Sequence, residues 1–274
     1  MRAHVARRIR FAALTAAAAA LVWGVVAARE RALRPTSFLT GWTLLALTLF
    51  LAAYALRKKI PVIPLGTAAT WLRFHAWTGI LGIVVYGLHA GLRLPQGQLE
   101  AALATLFLVV SASGVVGLFL SRVVPARLAR KGQEVLFERI PWHLRDVRQR
   151  AEKLVVASVA LSNQRTLADY YQRRLHRFFA RPRNYWKHIL QSNRHARAIM
   201  TELRDLDRYL NEAERRMSAD LLKLIWEKDD IDYHHALQGT LKAWLFVHVP
   251  LTCALLVFVA LHAFVALAFT GGGL

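Results

Sequence analysis

The stretches HAWTGILGIVVYGLH (75–89) and HVPLTCALLVFVALH (248–262) decide the fold of this chain. Each is apolar between two histidines that stand fourteen residues apart, His75 and His89 in the first stretch and His248 and His262 in the second. Fourteen residues bring a helix back to within about 40° of its starting direction and raise it by about 21 Å. Each stretch therefore predicts a helix that presents two imidazoles on one face.

Five apolar runs predict that the chain crosses a membrane five times. A mean hydropathy of +0.30 together with 20% charged residues requires apolar and charged residues to be separated along the chain. A spanning helix needs roughly 20 apolar residues. The runs that reach this length are about 11–28, 38–56, 72–92, 99–120 and 243–269. The predicted fold is an all-α integral membrane protein with five transmembrane helices.

The first apolar run allows two interpretations. The basic start, residues 1–10, and the small residues Ala27 and Ala28 would suit an export signal that is removed after translocation. The run is longer than the apolar part of most signals, so we expect a retained helix. Either interpretation leaves the topology of the other four helices unchanged.

The net charge of +20 is arranged as in a membrane protein rather than in a nucleic-acid-binding protein. Basic clusters that the positive-inside rule assigns to the cytoplasm precede the first helix and follow the second and fourth helices. These clusters are Arg2, Arg7, Arg8 and Arg10; Arg57, Lys58 and Lys59; and Arg122, Arg127, Arg130 and Lys131. Arg29, Arg31 and Arg34 in the first loop run against this assignment. We expect a bacterial-type inner membrane protein with a cytoplasmic N-terminus and a periplasmic C-terminus.

A polar stretch separates the fourth and fifth predicted helices. The chain therefore divides into helices one to four (1–120), a cytoplasmic helical segment (121–240), and helix five with a short exterior tail (241–274). Apolar residues at helical spacing, Ile199, Leu203, Leu206 and Leu210, predict an amphipathic helix in the segment. Residues 165–183 predict another helix, which stops near Pro182. We expect three or four helices here.

The four membrane histidines predict two haem sites. Helices three and five are separated by one crossing and so run in the same direction, which places His75 opposite His248 near the cytoplasm and His89 opposite His262 near the exterior. Each pair can ligate one low-spin haem iron with two imidazoles, a state suited to electron transfer because no coordination position stays open. The only cysteine, Cys253, excludes a Cys-x-x-Cys-His attachment site within the chain, so both haems would be b-type and non-covalent.

Other residues near the histidines support this hypothesis less strongly. Gly79 and Gly82 lie near the histidine face and would admit a flat macrocycle, although membrane-helix glycines also serve helix packing. Arg73 and Arg93 would pair with haem propionates or anchor the helix at lipid headgroups. We interpret Ser111, Ser113, Gly114 and Gly117 of the fourth helix as a close helix contact rather than a haem wall. The cluster Asp229, Asp230, Asp232, His234 and His235 is either a proton-exchange site or, as we favour, a solvated helix start.

These histidines resemble those of the two-haem membrane cytochromes b, and the layout is most similar to the ferric reductase-like transmembrane family. In that family two core helices each carry two histidines at nearly the spacing of His75 to His89 and His248 to His262. The resemblance implies a haem-binding helical bundle that moves electrons across the membrane. Members of that family continue into a flavin and nicotinamide domain, whereas this chain ends after the fifth run, so we expect a subunit of a larger redox complex.

The sequence therefore predicts a di-haem cytochrome b subunit that conducts electrons between a cytoplasmic-side donor or quinone and an exterior acceptor such as a cytochrome c. The predicted cytoplasmic segment has no glycine-rich nucleotide loop and no cysteine cluster, so electrons on that side would come from quinone, a soluble carrier, or a partner subunit such as an iron–sulfur protein or flavoprotein. The chain would then be an electron-transfer subunit rather than a self-contained enzyme. The alternative is a haem-free membrane scaffold or transporter subunit in which the histidines are structural.

Overall fold

The computed structural model describes residues 2–57, 67–91, 93–131, 135–162 and 165–270, and every regular element in these residues is helical. The all-α fold class is therefore confirmed for the part of the chain that the structure describes. The helices are α1 (Arg2–Arg31), α2 (Ser37–Arg57), α3 (Ala68–Ala90), α4 (Gln98–Ala129), α5 (Ile140–Ser162), α6 (Thr166–Tyr170), α7 (His176–Phe179), α8 (Tyr185–Ile189), α9 (Arg194–Leu206) and α10 (Glu212–Thr270). Three parts of the predictions lie outside the described residues: Lys58 and Lys59 of a basic cluster, Leu92, and residues 271–274 of the exterior tail.

Four of these helices are long and apolar enough to cross a membrane: α1, α2, α4 and α10. In α10 the apolar part is residues 243–269, because charged residues such as Lys228, Asp229 and Asp232 exclude its first half from a hydrocarbon core. Helix α3 has 23 residues, which suffices to span. It is absent from the four because Arg73, His75 and His89 lower its hydropathy.

The chain forms two compact units, one made of the residues up to Phe119 with those from Leu245 onward, and one made of Leu120–Trp244. In the first unit aromatic pairs join α3 to its neighbours. Phe74 packs edge-on against Phe11 of α1 at a centroid distance of 5.3 Å. Tyr86 stacks on Phe107 of α4 at 4.3 Å. Such pairs add stability beyond the area they bury.

Both ends of α3 are fixed by local sequence. Thr67 has an extended backbone and its side chain accepts a hydrogen bond from the Thr70 backbone N–H, which is the usual N-cap arrangement. Gly91 ends the helix with a φ of 59°, a left-handed conformation that glycine adopts without strain. The helix therefore ends just beyond His89.

The second unit is a helical domain with its own apolar core. Three of the residues predicted to form one face of an amphipathic helix do so on α9, where Ile199 and Leu203 are buried and Leu206 packs against the core. Leu210 is also buried, but it lies beyond the end of α9 with an extended backbone. Five helices, α5 to α9, lie between α4 and α10, more than the three or four expected. The reason is that the helix expected over residues 165–183 is divided by a π-helical turn, Tyr171–Leu175, into α6 and α7.

Candidate functional site

The imidazole rings of His89 on α3 and His262 on α10 face each other in the first unit. Their centroids are 6.3 Å apart and their planes are at 87° to each other. Two imidazoles that ligate one metal from opposite sides, with metal–nitrogen bonds of about 2 Å, have centroids about 6 Å apart. The observed separation therefore leaves the space that a single metal ion needs between the rings.

A cavity of about 540 Å³ surrounds this pair, a volume within the range of small-molecule and cofactor sites. Both histidines line it, together with apolar and aromatic side chains from α2, α3, α4 and α10. Arg93, which follows the end of α3, also lines the cavity. The cavity thus combines an apolar wall, two imidazoles and a cationic side chain.

The second histidine pair lies on the same two helices, nearer the start of α3 and of the apolar part of α10. His75 is half-buried and close enough to His248 for the two imidazoles to interact electrostatically. Its ring lies 5.2 Å from that of Tyr54, and its Nδ1 is buried without a hydrogen-bond partner among the described residues. Because His75 meets His248 and His89 meets His262, α3 and the apolar part of α10 run in the same direction.

Two hydroxyl groups hold Nδ1 atoms of the histidines. The Thr40 hydroxyl of α2 lies 3.0 Å from Nδ1 of His89. The Ser113 hydroxyl of α4 lies 3.1 Å from Nδ1 of His248. One histidine of each pair is therefore hydrogen-bonded through the nitrogen nearer its backbone, which leaves Nε2 as the outer nitrogen of the ring.

A glycine follows each of these hydroxyl residues and lies against the same histidine. A Cβ added at Gly41 would come within 3.1 Å of Cε1 of His89, and one added at Gly114 within 3.9 Å of Cε1 of His248. The first distance is tighter than ordinary van der Waals contact, so a side chain at position 41 would require the His89 ring to shift. Of the residues interpreted from the sequence as a helix contact, Ser113 contacts His248 directly.

The remaining predicted site residues lie along α3. A Cβ added at Gly79 or Gly82 would meet no atom within 4 Å, although Gly82 itself is buried, so there is room beside both for a planar group. Arg73 is half-buried two residues before His75. Their roles in haem binding stay predictions, because these positions show space and charge but no contact with a ligand.

Sequence reasoning missed Thr40 and Gly41. Neither stands out alone in an apolar run, because threonines in membrane helices commonly bond to their own backbone. A hydroxyl residue followed by glycine recurs at Thr40–Gly41 on α2 and Ser113–Gly114 on α4, but also at Thr78–Gly79 on α3. The dipeptide alone therefore does not identify the residues that contact an imidazole.

These donors fit a haem. Each histidine pair offers two ligands, which is the number that a bis-imidazole haem iron takes from the protein. The space beside Gly82 also suits a planar ligand. Among the described residues, no group of three or more histidine, cysteine or acidic side chains is placed to hold a bare metal ion.

A separate polar cluster lies inside the second unit. Asp229, Asp232 and His234 are buried, and Lys228, also buried, forms an ion pair with Asp232. These residues lie well inside α10, which begins at Glu212, so the interpretation as a solvated helix start is wrong. They are buried because residues distant in sequence pack against this part of α10, as His188 does against Asp229 and Arg181 against Lys228, which the local sequence does not indicate.

Burial dominates the protonation of this cluster. It raises the pKa of Asp229 to about 7, with a further contribution from the Asp232 carboxylate. It lowers the pKa of His188, which lies 3.7 Å from Asp229, to about 4. His188 is therefore neutral at pH 7, and its contact with Asp229 is not an ion pair at that pH.

The first unit thus carries two imidazole pairs, one of them across a cavity of cofactor size, and the second carries a buried polar core. No protein-family model matches the chain, and no curated protein or solved structure matches it. The chemistry of the paired histidines is therefore the basis on which a function is proposed.

Proposed function

We propose that the chain is a di-haem cytochrome b subunit that conducts electrons across a membrane within a larger redox complex. The observation that carries this proposal is the relation of His89 to His262: two rings at 87° with centroids 6.3 Å apart, both lining a cavity of about 540 Å³. This separation matches that of two axial ligands of one iron, and the adjoining cavity gives the haem a place.

In this proposal His89 and His262 hold the outer haem and His75 and His248 the inner one. A haem with two axial imidazoles supplies a one-electron couple without an open position for oxygen or substrate. Gly82 would give the macrocycle room, and Arg93 at the cavity, whose lining also includes Gln96 and Glu100, would neutralise a propionate.

The spacing of the pairs supports conduction rather than storage. Fourteen helical residues separate the two histidines of each helix, a rise of about 21 Å, and each macrocycle extends several ångströms from its iron. The edges of the two groups would therefore be much closer than the irons. Electrons would pass between the two faces of a bilayer in two short steps.

The proposal includes a fifth crossing by α3. Arg73, His75 and His89 make α3 too polar for an isolated span, but ligation and propionate pairing would offset the cost of placing these side chains at membrane depth. Large exposed apolar side chains on α10, such as Val257 and Phe264, support contact with lipid. The basic clusters favour a cytoplasmic N-terminus in a bacterial-type inner membrane.

The donor and acceptor belong to partners. Quinone or an iron–sulfur or flavoprotein subunit would exchange electrons on the cytoplasmic side, and a carrier such as a cytochrome c on the exterior side. The resemblance to the ferric reductase-like transmembrane family is part of this proposal and rests on the four histidines.

The first experiment is a reduced-minus-oxidised absorption spectrum with a pyridine haemochrome count on the detergent-purified full chain. We expect two low-spin b-type haems per chain. A chain that contains no haem after expression with ample haem would contradict the proposal.

Single histidine variants then separate the two sites. His89→Ala and His262→Ala should each remove the outer haem, and His75→Ala and His248→Ala the inner one, so each variant should retain about one haem. His143→Ala, on α5 in the second unit, is the matched control and should retain both. If none of the four membrane variants changed the haem content, the assignment of these histidines as haem ligands would be wrong.

The second candidate function is a haem-free membrane scaffold or transporter subunit. The hydrogen bonds between Thr40 and His89 and between Ser113 and His248 favour this second function, because they satisfy one nitrogen of each ring without any cofactor. Absence of haem combined with a well-folded chain would make this the better assignment.

A further inference from the structure

We propose that Thr40 and Ser113 are positioning residues that fix His89 and His248 in the Nδ1–H tautomer, so that the Nε2 lone pair of each is aimed away from its helix toward the ligand site. This inference rests on the proposed haem ligation and extends it to the residues behind the ligands. One ligand of each pair is held in this way.

The hydrogen bonds of Thr40 determine the direction of its bond to His89. Its hydroxyl lies 3.0 Å from the Thr36 carbonyl oxygen and 3.1 Å from the Ser37 carbonyl oxygen. A hydroxyl has one hydrogen to donate, and carbonyls only accept, so that hydrogen is directed to the α2 backbone. The Thr40 oxygen, next to the Ser37 carbonyl that also interacts with His89, therefore accepts the bond from Nδ1–H of His89 at 3.0 Å.

A neutral imidazole has one N–H, so a proton on Nδ1 leaves the lone pair on Nε2. Thr40 is 1% exposed, which keeps water from competing for the Nδ1 bond. Gly41 lets the ring lie close to α2, because a Cβ at this position would come within 3.1 Å of Cε1, the carbon between the two nitrogens. The tautomer is thus determined before any ligand binds.

The arrangement is repeated at the second pair. The Ser113 hydroxyl on α4 lies 3.1 Å from Nδ1 of His248, as the Thr40 hydroxyl on α2 lies 3.0 Å from Nδ1 of His89, and we assign its bond the same direction on this likeness. Two different helices thus present a hydroxyl residue followed by glycine to the same edge of an imidazole. The recurrence at two sites indicates a role connected with the ring's outer nitrogen rather than with one local packing contact.

Hydrogen bonding to the second nitrogen of a metal-bound histidine fixes its tautomer and raises its basicity. A more basic ligand stabilises the oxidised iron. Loss of the acceptor should therefore raise the reduction potential of the haem concerned: the outer haem in Thr40→Val and the inner haem in Ser113→Ala. Valine has nearly the shape of threonine, so the first variant removes little besides the hydroxyl.

The test is an optical redox titration of the purified full chain. At fixed ambient potential we expect the oxidised-to-reduced ratio of the affected haem to fall severalfold, up to the tenfold change that corresponds to 59 mV for a one-electron couple. The other haem should keep its potential. Thr40→Ser and Ser113→Thr, which retain the hydroxyl, should restore wild-type potentials and haem content.

Failure of the inference and failure of the proposed function give different results. Two haems with unchanged potentials in Thr40→Val and Ser113→Ala would overturn the inference and leave the function intact. The inference would equally be overturned if the valine and serine variants at position 40 behaved alike, whether both retained or both lost the outer haem.

Nitrogen-15 NMR of the histidine-labelled chain prepared without haem gives a readout that does not depend on the cofactor. The His89 resonances, identified by their loss in His89→Ala, should report a proton on Nδ1 in the wild type and a shift toward the Nε2–H form in Thr40→Val. A wild-type His89 in the Nε2–H form would contradict the inference even if no haem bound.

Discussion

Lys228 and Asp232 form an ion pair one helical turn apart on α10, with side chains 1% and 0% exposed. The pair also connects α10 to the segment before α8, because Lys228 donates to the Arg181 carbonyl oxygen at 3.1 Å and Asp232 accepts from the Arg183 N–H at 3.3 Å. The ammonium lies 4.4 Å from the centroid of the Phe178 ring. A buried charge with this many partners is costly to leave unpaired.

Lys228→Met should destabilise the chain by about 3–5 kcal/mol, because it leaves the Asp232 carboxylate buried without its partner. The measurement is denaturant unfolding of the full chain followed by circular dichroism. Lys223→Met is the matched control: Lys223 pairs with Asp220 at the surface, and its loss should cost about 1 kcal/mol or less. The double variant Lys228→Met/Asp232→Leu should recover much of the loss; equal effects at Lys223 and Lys228 would contradict the prediction.

Asp229 should make the stability of the second unit fall as pH rises from about 4 to about 7. The folded state, with a pKa of about 7, keeps its proton in this interval while the unfolded state, with a pKa near 3.9, loses it. The folded state thus binds more protons, so stability decreases with pH by at most about 1.4 kcal/mol per pH unit from this group.

The measurement compares the free energy of unfolding of the wild type and Asp229→Asn between pH 4 and pH 8. Asparagine cannot ionise, so the free energy of unfolding of the variant should increase relative to that of the wild type as pH rises. Above pH 7 the difference between the two should be constant. His188 titrates in the opposite direction but is present in both chains, so the comparison largely removes its effect. Asp230→Asn, which alters a half-exposed carboxylate paired with Lys131, serves as control. A difference independent of pH would refute the assignment.

Gly41→Ala should disturb the outer haem site, whereas Gly114→Ala should leave the inner one nearly unchanged. The added methyl would meet Cε1 of His89 at 3.1 Å in the first case and Cε1 of His248 at 3.9 Å in the second. Only the first requires the ring to move. Haem content and the width of the outer haem's spectral band should change in Gly41→Ala alone. A larger effect of Gly114→Ala would contradict the prediction that α2 lies closer to His89 than α4 lies to His248.

Gly82→Leu should reduce haem content, while Gly87→Leu should not. Gly82 lies midway between His75 and His89 on the same face of α3, whereas Gly87 points about 140° away from it, at 100° per residue. Added carbon at either position meets no atom of the chain within 4 Å, so packing alone predicts similar tolerance. Similar haem contents in the two variants would therefore argue against a macrocycle beside Gly82.

The helical fold and the four membrane-spanning candidates follow from the length and apolarity of the runs in the sequence. The meeting of His89 with His262 also follows, because fourteen-residue spacing and parallel helices fix both depth and face. Helix α3 shows the limit of hydropathy: the side chains that suit it for ligation, Arg73, His75 and His89, are those that make it the least apolar of the five predicted crossings.

The contacts behind the histidines could not be predicted in the same way. Thr40 and Ser113 reach the imidazoles of His89 and His248 because α2 and α4 have a particular rotation about their own axes. That rotation depends on packing across the whole bundle. The burial of Lys228, Asp229 and Asp232 likewise depends on how α5 to α9 cover α10. Sequence periodicity gives no account of either, because both are properties of tertiary contacts between distant segments.

The two helices that carry the histidine pairs, α3 and α10, are synthesised at different times because they are far apart along the chain. His89 precedes His262 by 173 residues, and all of α5 to α9 are made in between. At about 5–20 residues per second, a ribosome needs roughly 10 to 35 seconds to supply the second member of the pair. Under the proposed ligation, the nascent chain spends that interval with α3 and its histidines already synthesised and no haem site complete. Haem delivery would therefore be a post-translational event, timed by the emergence of the last helix.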